Sequence, residues 1–254
     1  MTRDSGADLI RVFVGTSADQ RLAYEVLANS LRRNTRRPLQ VRAIDALHLP
    51  VPRDPRNRMR TGFSFARFEI PRLCAFRGHA LYLDADMLVL RDVGELWSLR
   101  RHDADLLYSE QPTEGAGARF SVMLLDCSRL SWSGERVVQE LDAGRYSYEE
   151  LMHGMCLVPE ARRQAAIPGH WNSLDCYEPG KTALVHYTSV PTQPWRYGSH
   201  PHGAVWYRYL LEALGTGAVP RPLFQQEVKR GHVSPWLLEW AEATLGSSSL
   251  PGGA

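Results

Sequence analysis

The sequence predicts one α/β domain with a mostly parallel central sheet flanked by helices. Three observations support this prediction. The chain opens with a strand-helix-strand order, in which IRVFVG (10–15) and LQVRAI (39–44) flank a helical pattern of apolar residues. A further short apolar run, ALYLD (80–84), is typical of another buried strand. The length of 254 residues suffices for one large domain with its own hydrophobic core.

The first helix and the second strand lead into less regular chain. Ser17 and Gln20 stand at capping-box spacing in front of the apolar positions of the first helix. After the second strand, a loop with several prolines extends to Pro55. A helix is expected over 63–76, with a boundary or kink near Ile70, because the residue before a proline disfavours helical geometry.

Strands continue around the middle of the chain. MLVL (87–90) resumes strand character, and RDVGELWSL (91–99) predicts a short helix whose first turn Asp92 caps. ADLLYS (104–109) and RFSVMLLDC (119–127) are further strand candidates, with a glycine-rich turn between them.

The remaining elements are mainly helical. SGERVVQELDAG (133–144) is an amphipathic pattern that ends in glycine, and YSYEELM (146–152) begins another helix. One strand and a long loop are expected within 184–203. VWYRYLLEAL (205–214) and PWLLEWAEATL (235–245) predict the last two helices.

Composition excludes several classes of protein. The apolar share is 44%, and 30 Lys and Arg nearly balance 28 Asp and Glu, so the net charge of +2 carries no nucleic-acid signal. The four cysteines form no CxxC pair, which argues against a zinc knuckle or a redox motif. No apolar run reaches the length of a signal peptide or a membrane span, so we expect a cytoplasmic protein.

Arginines are concentrated in RDPRNRMR (53–60). Two interpretations stand for this stretch. It is either a solvated loop, or a loop that faces an anionic substrate, because the arginine fork matches phosphate oxygens.

Two aspartates interrupt apolar sequence in ALYLDADMLVL (80–90). Side chains alternate along a strand, so Asp84 and Asp86 would share a face and Ala85 would oppose them. Parallel α/β sheets bind ligands at the carboxyl ends of their strands, which is where this pair would lie. Carboxylate oxygens suit magnesium or manganese, ions that also bridge the phosphates of a nucleotide. The alternative is a turn in which the aspartates cap the following segment.

The region LYLDADMLVLRDVGELW (81–97) resembles the Asp-x-Asp region of family 8 glycosyltransferases, which include glycogenin and bacterial lipopolysaccharide galactosyltransferases. The segment 12–31 resembles the family's first strand, nucleotide-binding turn and helix, and FSFARFEIPRL (63–73) resembles its arginine-bearing helix. VHYTSVPTQPW (185–195) resembles its C-terminal His-Phe-x-Gly-x-x-Lys-Pro-Trp segment. The resemblance implies a single GT-A domain, which is a Rossmann-like fold, and a nucleotide-sugar donor.

The resemblance also assigns the metal site. It implies that Asp84 contacts the metal and the donor ribose, that Asp86 is the principal carboxylate ligand, and that His186 supplies an imidazole. The implied ion is Mn²⁺ or Mg²⁺. Arg67 matches the family arginine that contacts the donor.

Further donor-binding residues follow from the same resemblance. Thr16, Ser17 and Asp19 lie on the turn after the first strand, although Ser17 also has the capping role. In the C-terminal segment, Gln193 replaces the family lysine that contacts the diphosphate, and the spacing from the histidine is one residue longer. The nearby donor-binding candidates are Trp195 and Arg196, of which Arg196 would supply the missing charge.

Candidate catalytic residues are acids and one amide. Glu149 and Glu150 are the nearest counterparts of the family's polar residue on the reacting face of the sugar. Their alternative role is to complement the dipole of a helix N-terminus. Asn172 and Asp175, with Trp171 beside them, would line the sugar or acceptor site, although Trp171 also suits a core position.

The predicted function is therefore metal-dependent transfer of a hexose, with retention of configuration, from a UDP-sugar to a saccharide or small-molecule acceptor. UDP-glucose and UDP-galactose are the expected donors, and no nucleic-acid partner is expected. The predicted organisation is a tail at 1–9, a nucleotide-binding half at 10–110, an acceptor half at 111–245 and a disordered tail at 246–254. The alternatives are a degenerate protein that binds a nucleotide sugar without turnover, or a sugar-1-phosphate nucleotidyltransferase. This sequence lacks the glycine-rich, lysine-bearing loop after the first strand that a nucleotidyltransferase would be expected to have.

Overall fold

The computed structural model describes residues 9–45, 47, 49–58, 64–109 and 120–248. Within these residues the strands are β1 Ile10–Gly15, β2 Leu39–Ala43, β3 His79–Asp84, β4 Met87–Val89, β5 Leu106–Ser109, β6 Val122–Asp126, β7 Arg163–Ile167, β8 Ser173–Leu174 and β9 Leu184–His186. The α-helices of the same residues are α1 Arg21–Asn34, α2 Ile70–Leu73, α3 Val93–Trp97, α4 Gly134–Asp142, α5 Tyr148–Met152, α6 Gly203–Gly215, α7 Arg221–Lys229 and α8 Pro235–Ser248.

The central sheet has six strands in the order β2-β1-β3-β6-β5-β7. Only β6 among them is antiparallel to both of its neighbours, whereas the other pairs run parallel. Buried clusters lie on both faces of this sheet, under helices on either side. The predicted α/β class with a mostly parallel central sheet is confirmed.

The register of β1 and β3 defines the edge at which the acid pair lies. Gly15, the last residue of β1, pairs with Asp84, the last residue of β3. The backbone N–H of Ala85 then donates to the Gly15 carbonyl at 2.9 Å. The turn that follows β1 therefore begins beside the acid pair, as the carboxyl ends of parallel strands require.

Strand β3 contributes to a different core on each face. Ala80 and Tyr82 pack with the cluster that contains Phe65 and Phe68, whereas Leu81 and Leu83 pack with the cluster on the opposite face. This alternation is the ordinary period of a strand. It places Asp84 on the same face as Tyr82.

A second, three-stranded sheet has the order β4-β9-β8. Strands β4 and β9 are antiparallel, and Met87 pairs with His186. The backbone N–H of Tyr187 donates to the Asp86 carbonyl at 2.8 Å. This pairing brings a residue 100 positions later in the chain to the acid pair. A third buried cluster fills the space between this sheet and helices α6 to α8.

Two local predictions need correction. The helix expected over 63–76 is a 3₁₀ turn at Ala66–Glu69 followed by α2, so the change at Ile70 is one of helix type. Among the described residues Ser17 accepts no backbone N–H of the first helix, because its hydroxyl donates to Asp19 instead. The capping box predicted for Ser17 and Gln20 is therefore wrong.

Strand β7 and helix α7 were not predicted. RQAAI of β7 lacks an alternating apolar pattern, and only Phe224 and Glu227 of α7 are buried. Helix α8 continues to Ser248, three residues past the expected domain boundary at 245. The predicted glycine-rich turn after β5 and the first eight residues lie outside the described residues.

Candidate active site

Asp84 lies at the carboxyl end of β3 in a poorly hydrated position. The Tyr82 hydroxyl donates a hydrogen bond of 2.5 Å to Asp84 Oδ1. Burial raises the pKa of Tyr82 well above its ordinary value, so the phenol stays protonated and remains a donor. Burial also raises the pKa of the Asp84 carboxyl, against the opposing charge of Arg67, and Asp86 raises it further. A nearby cation would therefore stabilise the ionised form of Asp84.

His186 brings an imidazole to the second aspartate. Its Nε2 lies 3.2 Å from Asp86 Oδ1, and the ring is 4% exposed. Its Nδ1 lies 2.9 Å from Asn172 Oδ1, so the amide oxygen accepts when Nδ1 carries the proton. In that tautomer Nε2 directs a lone pair toward the acid pair, as a metal-ligating histidine does. Burial lowers the pKa of His186, but the carboxylates of Asp86 and Asp84 outweigh it and leave a net rise.

The acid-histidine cluster, defined as Asp84, Asp86 and His186, has the chemistry of a divalent metal site. One ligand atom from each residue lies within 4.8 Å of the others. Asp86 Oδ1 is buried and accepts no hydrogen bond of regular geometry among the described residues, although His186 Nε2 lies 3.2 Å away. Such an atom costs free energy unless a cation satisfies it. Two carboxylates and one imidazole suit Mg²⁺ or Mn²⁺ and leave positions for other oxygen ligands. These residues fit a divalent ion.

Arg67 approaches the cluster from the 3₁₀ turn after the arginine loop. Its Nη2 lies 3.9 Å from Asp84 Oδ1, and its guanidinium lies 4.6 Å above the centre of the Tyr82 ring. Its Nη1 donates to the Phe120 carbonyl at 3.2 Å. Nε is buried without a hydrogen-bond partner among the described residues. The arginine is thus fixed by stacking and by the backbone, and part of its fork stays open toward the cluster.

A cavity of about 290 Å³ opens over the cluster. This volume is near the lower end of the range for small-ligand pockets, roughly 300 to 1,000 Å³. Residues from distant parts of the chain line it, including Gln20, Arg67, Asp84, Asp86, Tyr148 and Gln193. The structure therefore brings together four of the predicted site residues in one cleft, with His186 behind Asp86.

Gln193 occupies the position for which the resemblance implies a lysine. Its amide is 1% exposed, and Nε2 donates to the Tyr187 carbonyl at 3.0 Å and to Asp86 Oδ2 at 3.4 Å. Gln193 therefore lies at the cluster, but it is neutral and directs a donor to Asp86. It cannot supply the positive charge of a lysine.

The turn after β1 is joined to the C-terminal segment by an ion pair. Arg196 Nη2 contacts Asp19 Oδ2, and Asp19 also accepts from the Ser17 hydroxyl. Burial raises the pKa of Asp19, but Ser17 and Arg196 outweigh it and hold the pKa below its usual value. Thr16 is buried at the end of β1, and its hydroxyl lies 3.3 Å from the Ser17 carbonyl. Because Asp19 already pairs with Arg196, that arginine is less available for a diphosphate than predicted.

Trp195 is a core residue, contrary to its predicted place in the donor site. It is 1% exposed and its ring lies 5.4 Å from that of Trp206. The Tyr187 ring contacts the Trp195 ring edge to face, with the two centroids 6.4 Å apart. A tryptophan enclosed by aromatic neighbours offers no face to a ligand.

The predicted catalytic acids Glu149 and Glu150 do not line the cavity over the cluster. Glu150 completes a capping box: its carboxylate accepts from the Ser147 backbone N–H at 2.7 Å, while Ser147 Oγ accepts from the Glu150 N–H. These hydrogen bonds hold the pKa of Glu150 below its usual value. Glu149 lies 3.0 Å from His153 Nδ1 and is 76% exposed. The helix-terminus alternative applies to Glu150, because its carboxylate satisfies the first turn of α5.

Asn172 and Asp175 support the site from behind instead of lining it. Asn172 is 2% exposed and contacts His186. Asp175 accepts from the Thr188 hydroxyl, from the Ser189 N–H at 3.2 Å and from His200 Nε2 at 3.1 Å. Both residues therefore hold β9 and the segment after it in place. Trp171 is 2% exposed and lies in the core, which was the alternative interpretation of this residue.

The site residues that escaped the sequence reasoning include Tyr82, Ser121 and Tyr148. Tyr82 donates to Asp84, Ser121 contacts the same carboxylate, and Tyr148 lines the cavity. Strand alternation was the available signal for Tyr82, because it stands two residues before Asp84. Ser121 and Tyr148 carry no comparable signal, since they reach the site only through the order of the strands and the packing of α5.

Comparison with known proteins gives little at the level of sequence. No protein-family model matches the chain. A relative, Protein CDI of Arabidopsis thaliana, is 33% identical over 93 residues. The match covers 35% of this chain and 36% of that protein, so the chain spans about a third of its relative.

Solved structures share the fold. WbbM, a bifunctional glycosyltransferase, matches with a TM-score of 0.61 at 12% identity, over 90% of this chain and 53% of that one. An active-site mutant of LgtC matches with a TM-score of 0.59 at 15% identity, over 88% of this chain and 100% of that one. The glycosyltransferase GlyE of Streptococcus pneumoniae TIGR4 matches with a TM-score of 0.56 at 17% identity, over 82% of this chain and 64% of that one.

These structural likenesses show the fold of the chain. It is a single α/β domain of the GT-A type, as predicted. The chain spans about half of WbbM and just under two thirds of GlyE. Among the described residues, the helices are too short or too polar to cross a membrane.

Proposed function

We propose that the protein is a metal-dependent retaining glycosyltransferase of family 8, which transfers a hexose from a UDP-sugar to an acceptor hydroxyl. UDP-glucose and UDP-galactose are the proposed donors, and a saccharide or small molecule is the proposed acceptor. One observation carries the proposal: Asp84, Asp86 and His186 converge at the carboxyl end of β3 within a GT-A fold. That edge is where α/β sheets bind nucleotides.

The acid-histidine cluster is the proposed site of Mn²⁺ or Mg²⁺. Asp86 and His186 would hold the ion, and Asp84 would contact it together with the donor ribose. When bound, such an ion neutralises the charge that develops on a diphosphate leaving group. Asn172 supports this role, because its contact with Nδ1 leaves His186 Nε2 directed toward Asp86.

Arg67 is the proposed cationic contact to the donor. It is 12% exposed at the cavity, and its charge lies beside Asp84. Gln193 would donate one hydrogen bond to a diphosphate oxygen or continue to donate to Asp86. The turn Thr16 to Asp19 would contact the base and ribose, held in place by the ion pair of Asp19 with Arg196.

We propose a direct route for the transfer, in which the acceptor hydroxyl enters from the face that the diphosphate leaves. Among the described residues that line the cavity, the carboxylates are those of Asp84 and Asp86. Both are assigned to the metal, so neither is left as a nucleophile for a covalent intermediate. In this arrangement residues 10–110 form the nucleotide-binding half and residues 111–245 the acceptor half.

A second candidate is binding of a nucleotide sugar without turnover. The observation that favours it is Gln193, a buried neutral residue where the resemblance implies a lysine. Arg196 does not supply the missing charge of this lysine, because its guanidinium already pairs with Asp19. Arg67 is then the main cation at the cavity.

The test is release of UDP from a panel of UDP-sugars, with and without Mn²⁺. We expect metal-dependent release by the wild type and loss of at least about a hundredfold in Asp86→Ala. Asp103→Asn, a change in an exposed ion pair with Arg101, is the matched control and should keep full activity. Binding of a UDP-sugar with no UDP release would favour the binding protein. Release of pyrophosphate from a sugar 1-phosphate and UTP would favour a nucleotidyltransferase instead.

A further inference from the structure

A second and larger cavity adjoins the one over the acid-histidine cluster. Its volume is about 720 Å³, within the range of pockets that hold small ligands, roughly 300 to 1,000 Å³. Tyr148 lines both cavities. A molecule in the larger cavity could therefore extend past Tyr148 toward the cluster. Residues within 53–58, together with the adjoining ends of α4 and α5, form its walls.

Hydrogen bonds hold the backbone of residues 53–57, in the arginine-rich stretch, at this cavity. The backbone N–H of Arg53 donates to Asp142 Oδ1 at 2.9 Å, which ties the loop to the end of α4. Asp54 caps the 3₁₀ turn Pro55–Asn57 by accepting from the Arg56 N–H at 2.9 Å. An ordered backbone at Arg53 and Arg56 lowers the entropic cost of binding a ligand there.

Three arginines and three carboxylates line this cavity: Arg53, Arg56 and Arg58, with Asp54, Asp142 and Glu149. Arg56 pairs with Asp54, whose Oδ2 lies 2.8 Å from Nη2. The other two lining carboxylates keep their charge but contact groups other than guanidinium: Asp142 Oδ1 accepts from the Arg53 backbone N–H, and Glu149 lies 3.0 Å from His153 Nδ1. Arg53 and Arg58 are exposed and, among the described residues, form no ion pair. The Arg53 and Arg58 guanidinium groups thus line the cavity without a carboxylate partner among the described residues, and paired guanidinium groups of this kind can bind an oxyanion.

We propose that this cavity is the acceptor site, and that it selects an acceptor bearing a phosphate group. This assignment rests on the proposed glycosyl transfer. Arg53 and Arg58 would hold the phosphate, and Tyr148 would lie between the phosphate and the hydroxyl that enters the cavity over the cluster. The interpretation of the arginine-rich stretch as a contact to an anionic substrate is thereby assigned to the acceptor.

Calorimetric titration of the full chain tests the site with three probes: a hexose 6-phosphate, the same uncharged hexose and inorganic phosphate. We expect the hexose phosphate to bind at least roughly tenfold more tightly than either other probe, and less tightly as salt is added. The double variant Arg53→Gln, Arg58→Gln should lose roughly tenfold in affinity. The matched variant Arg32→Gln, Arg36→Gln removes two exposed arginines from the region of α1 and should bind as the wild type does.

Two comparisons locate the bound phosphate and separate this proposal from the function itself. Asp86→Ala should keep the hexose phosphate affinity, because Asp86 does not line the larger cavity. UDP release by the wild type, measured with no acceptor, tests the glycosyltransferase proposal independently. The acceptor proposal is overturned if the arginine double variant binds as well as the wild type, or if Asp86→Ala abolishes binding. Equal binding of inorganic phosphate or of the uncharged hexose would also overturn it.

Discussion

The hydroxyl of Tyr82 donates a 2.5 Å hydrogen bond to Oδ1 of Asp84, two residues later on the same face of β3. Tyr82 is fully buried, and the guanidinium of Arg67 stacks over its ring at 4.6 Å. One core tyrosine thus positions both a predicted metal contact and the predicted donor arginine. Its hydrogen bond occupies one lone pair of Asp84 Oδ1, and Ser121 contacts the same carboxylate.

Tyr82→Phe should weaken the site without unfolding the protein. The change keeps the ring on which Arg67 stacks and removes only the hydroxyl, so we expect a loss of about 1 kcal/mol in the free energy of unfolding. Without the Tyr82 hydroxyl, the Asp84 carboxylate is held less firmly. The affinity for Mn²⁺ should therefore fall by roughly tenfold, as it does when a residue that orients a metal ligand is removed. Metal titration followed by thermal shift measures this effect.

The control for Tyr82→Phe is Tyr209→Phe. The Tyr209 hydroxyl accepts from Asn34 at 3.1 Å and lies in the third core cluster, away from the site. Both variants lose one buried hydroxyl, and only the first should change the metal titration. Equal metal affinities in the two variants would show that the Tyr82 contact is structural alone.

Asn172→Ala should lower metal affinity by roughly 10 to 100-fold, because Asn172 fixes the tautomer and orientation of the His186 ring. Asn34→Ala is the matched control, since Asn34 also makes partly buried hydrogen bonds, to the Val89 carbonyl and to Tyr209, but none to the cluster. Both variants should lose stability, and only Asn172→Ala should bind Mn²⁺ more weakly in calorimetry. A wild-type affinity in Asn172→Ala would mean that the His186 ring is held by β9 alone.

The cluster was predictable because simple rules place its members. Asp84 and Asp86 follow a short apolar run, and a strand of a parallel sheet ends at the edge that binds ligands. His186 ends another apolar run, although only the antiparallel pairing of Met87 with His186 fixes its place. The resemblance supplied the link between these segments, since periodicity alone gives no contact between residues 100 positions apart.

The other site residues were ambiguous for physical reasons. A tryptophan such as Trp195 can stack on a sugar or pack in a hydrophobic core, and only its neighbours in the folded protein decide which role it has. Glu150 stands three residues after Ser147, which is both the spacing of a capping box and the position of a candidate acid. Strand β7 was missed because its sequence, RQAAI, does not alternate and its pairing with β5 stabilises it.

Trp195→Ala should destabilise the protein by about 3 to 5 kcal/mol, the usual cost of removing a buried aromatic side chain. Trp236→Ala removes a tryptophan that is 44% exposed and should cost far less. Trp195→Phe retains most of the packing and should leave UDP-sugar binding unchanged. Denaturant unfolding and donor titration of the three variants check this prediction. Loss of donor binding in a stable Trp195→Phe protein would restore Trp195 to the donor site.

Asp175→Asn should destabilise the segment after β9, and the effect should depend on pH. The carboxylate accepts from Thr188, Ser189 and His200, whereas an amide has one acceptor oxygen for these three donors. Asparagine tolerates the positive φ of 47° at this position, so the comparison isolates the lost acceptor and charge. We expect a loss of about 1 to 3 kcal/mol in the free energy of unfolding at pH 7.

The pH dependence of this loss follows from the pKa of Asp175. Burial raises that pKa, but the Thr188, Ser189 and His200 contacts outweigh it and leave it below the ordinary value of 3.8. The ionised group therefore stabilises the folded protein above about pH 4, and this contribution disappears as the pH falls through the folded pKa. Urea unfolding at intervals from pH 7 to pH 3 should show the wild type approaching Asp175→Asn only at the acid end. Asp45→Asn, a change at an exposed carboxylate, should match the wild type throughout. A constant difference between wild type and Asp175→Asn would mean that packing, not charge, stabilises this segment.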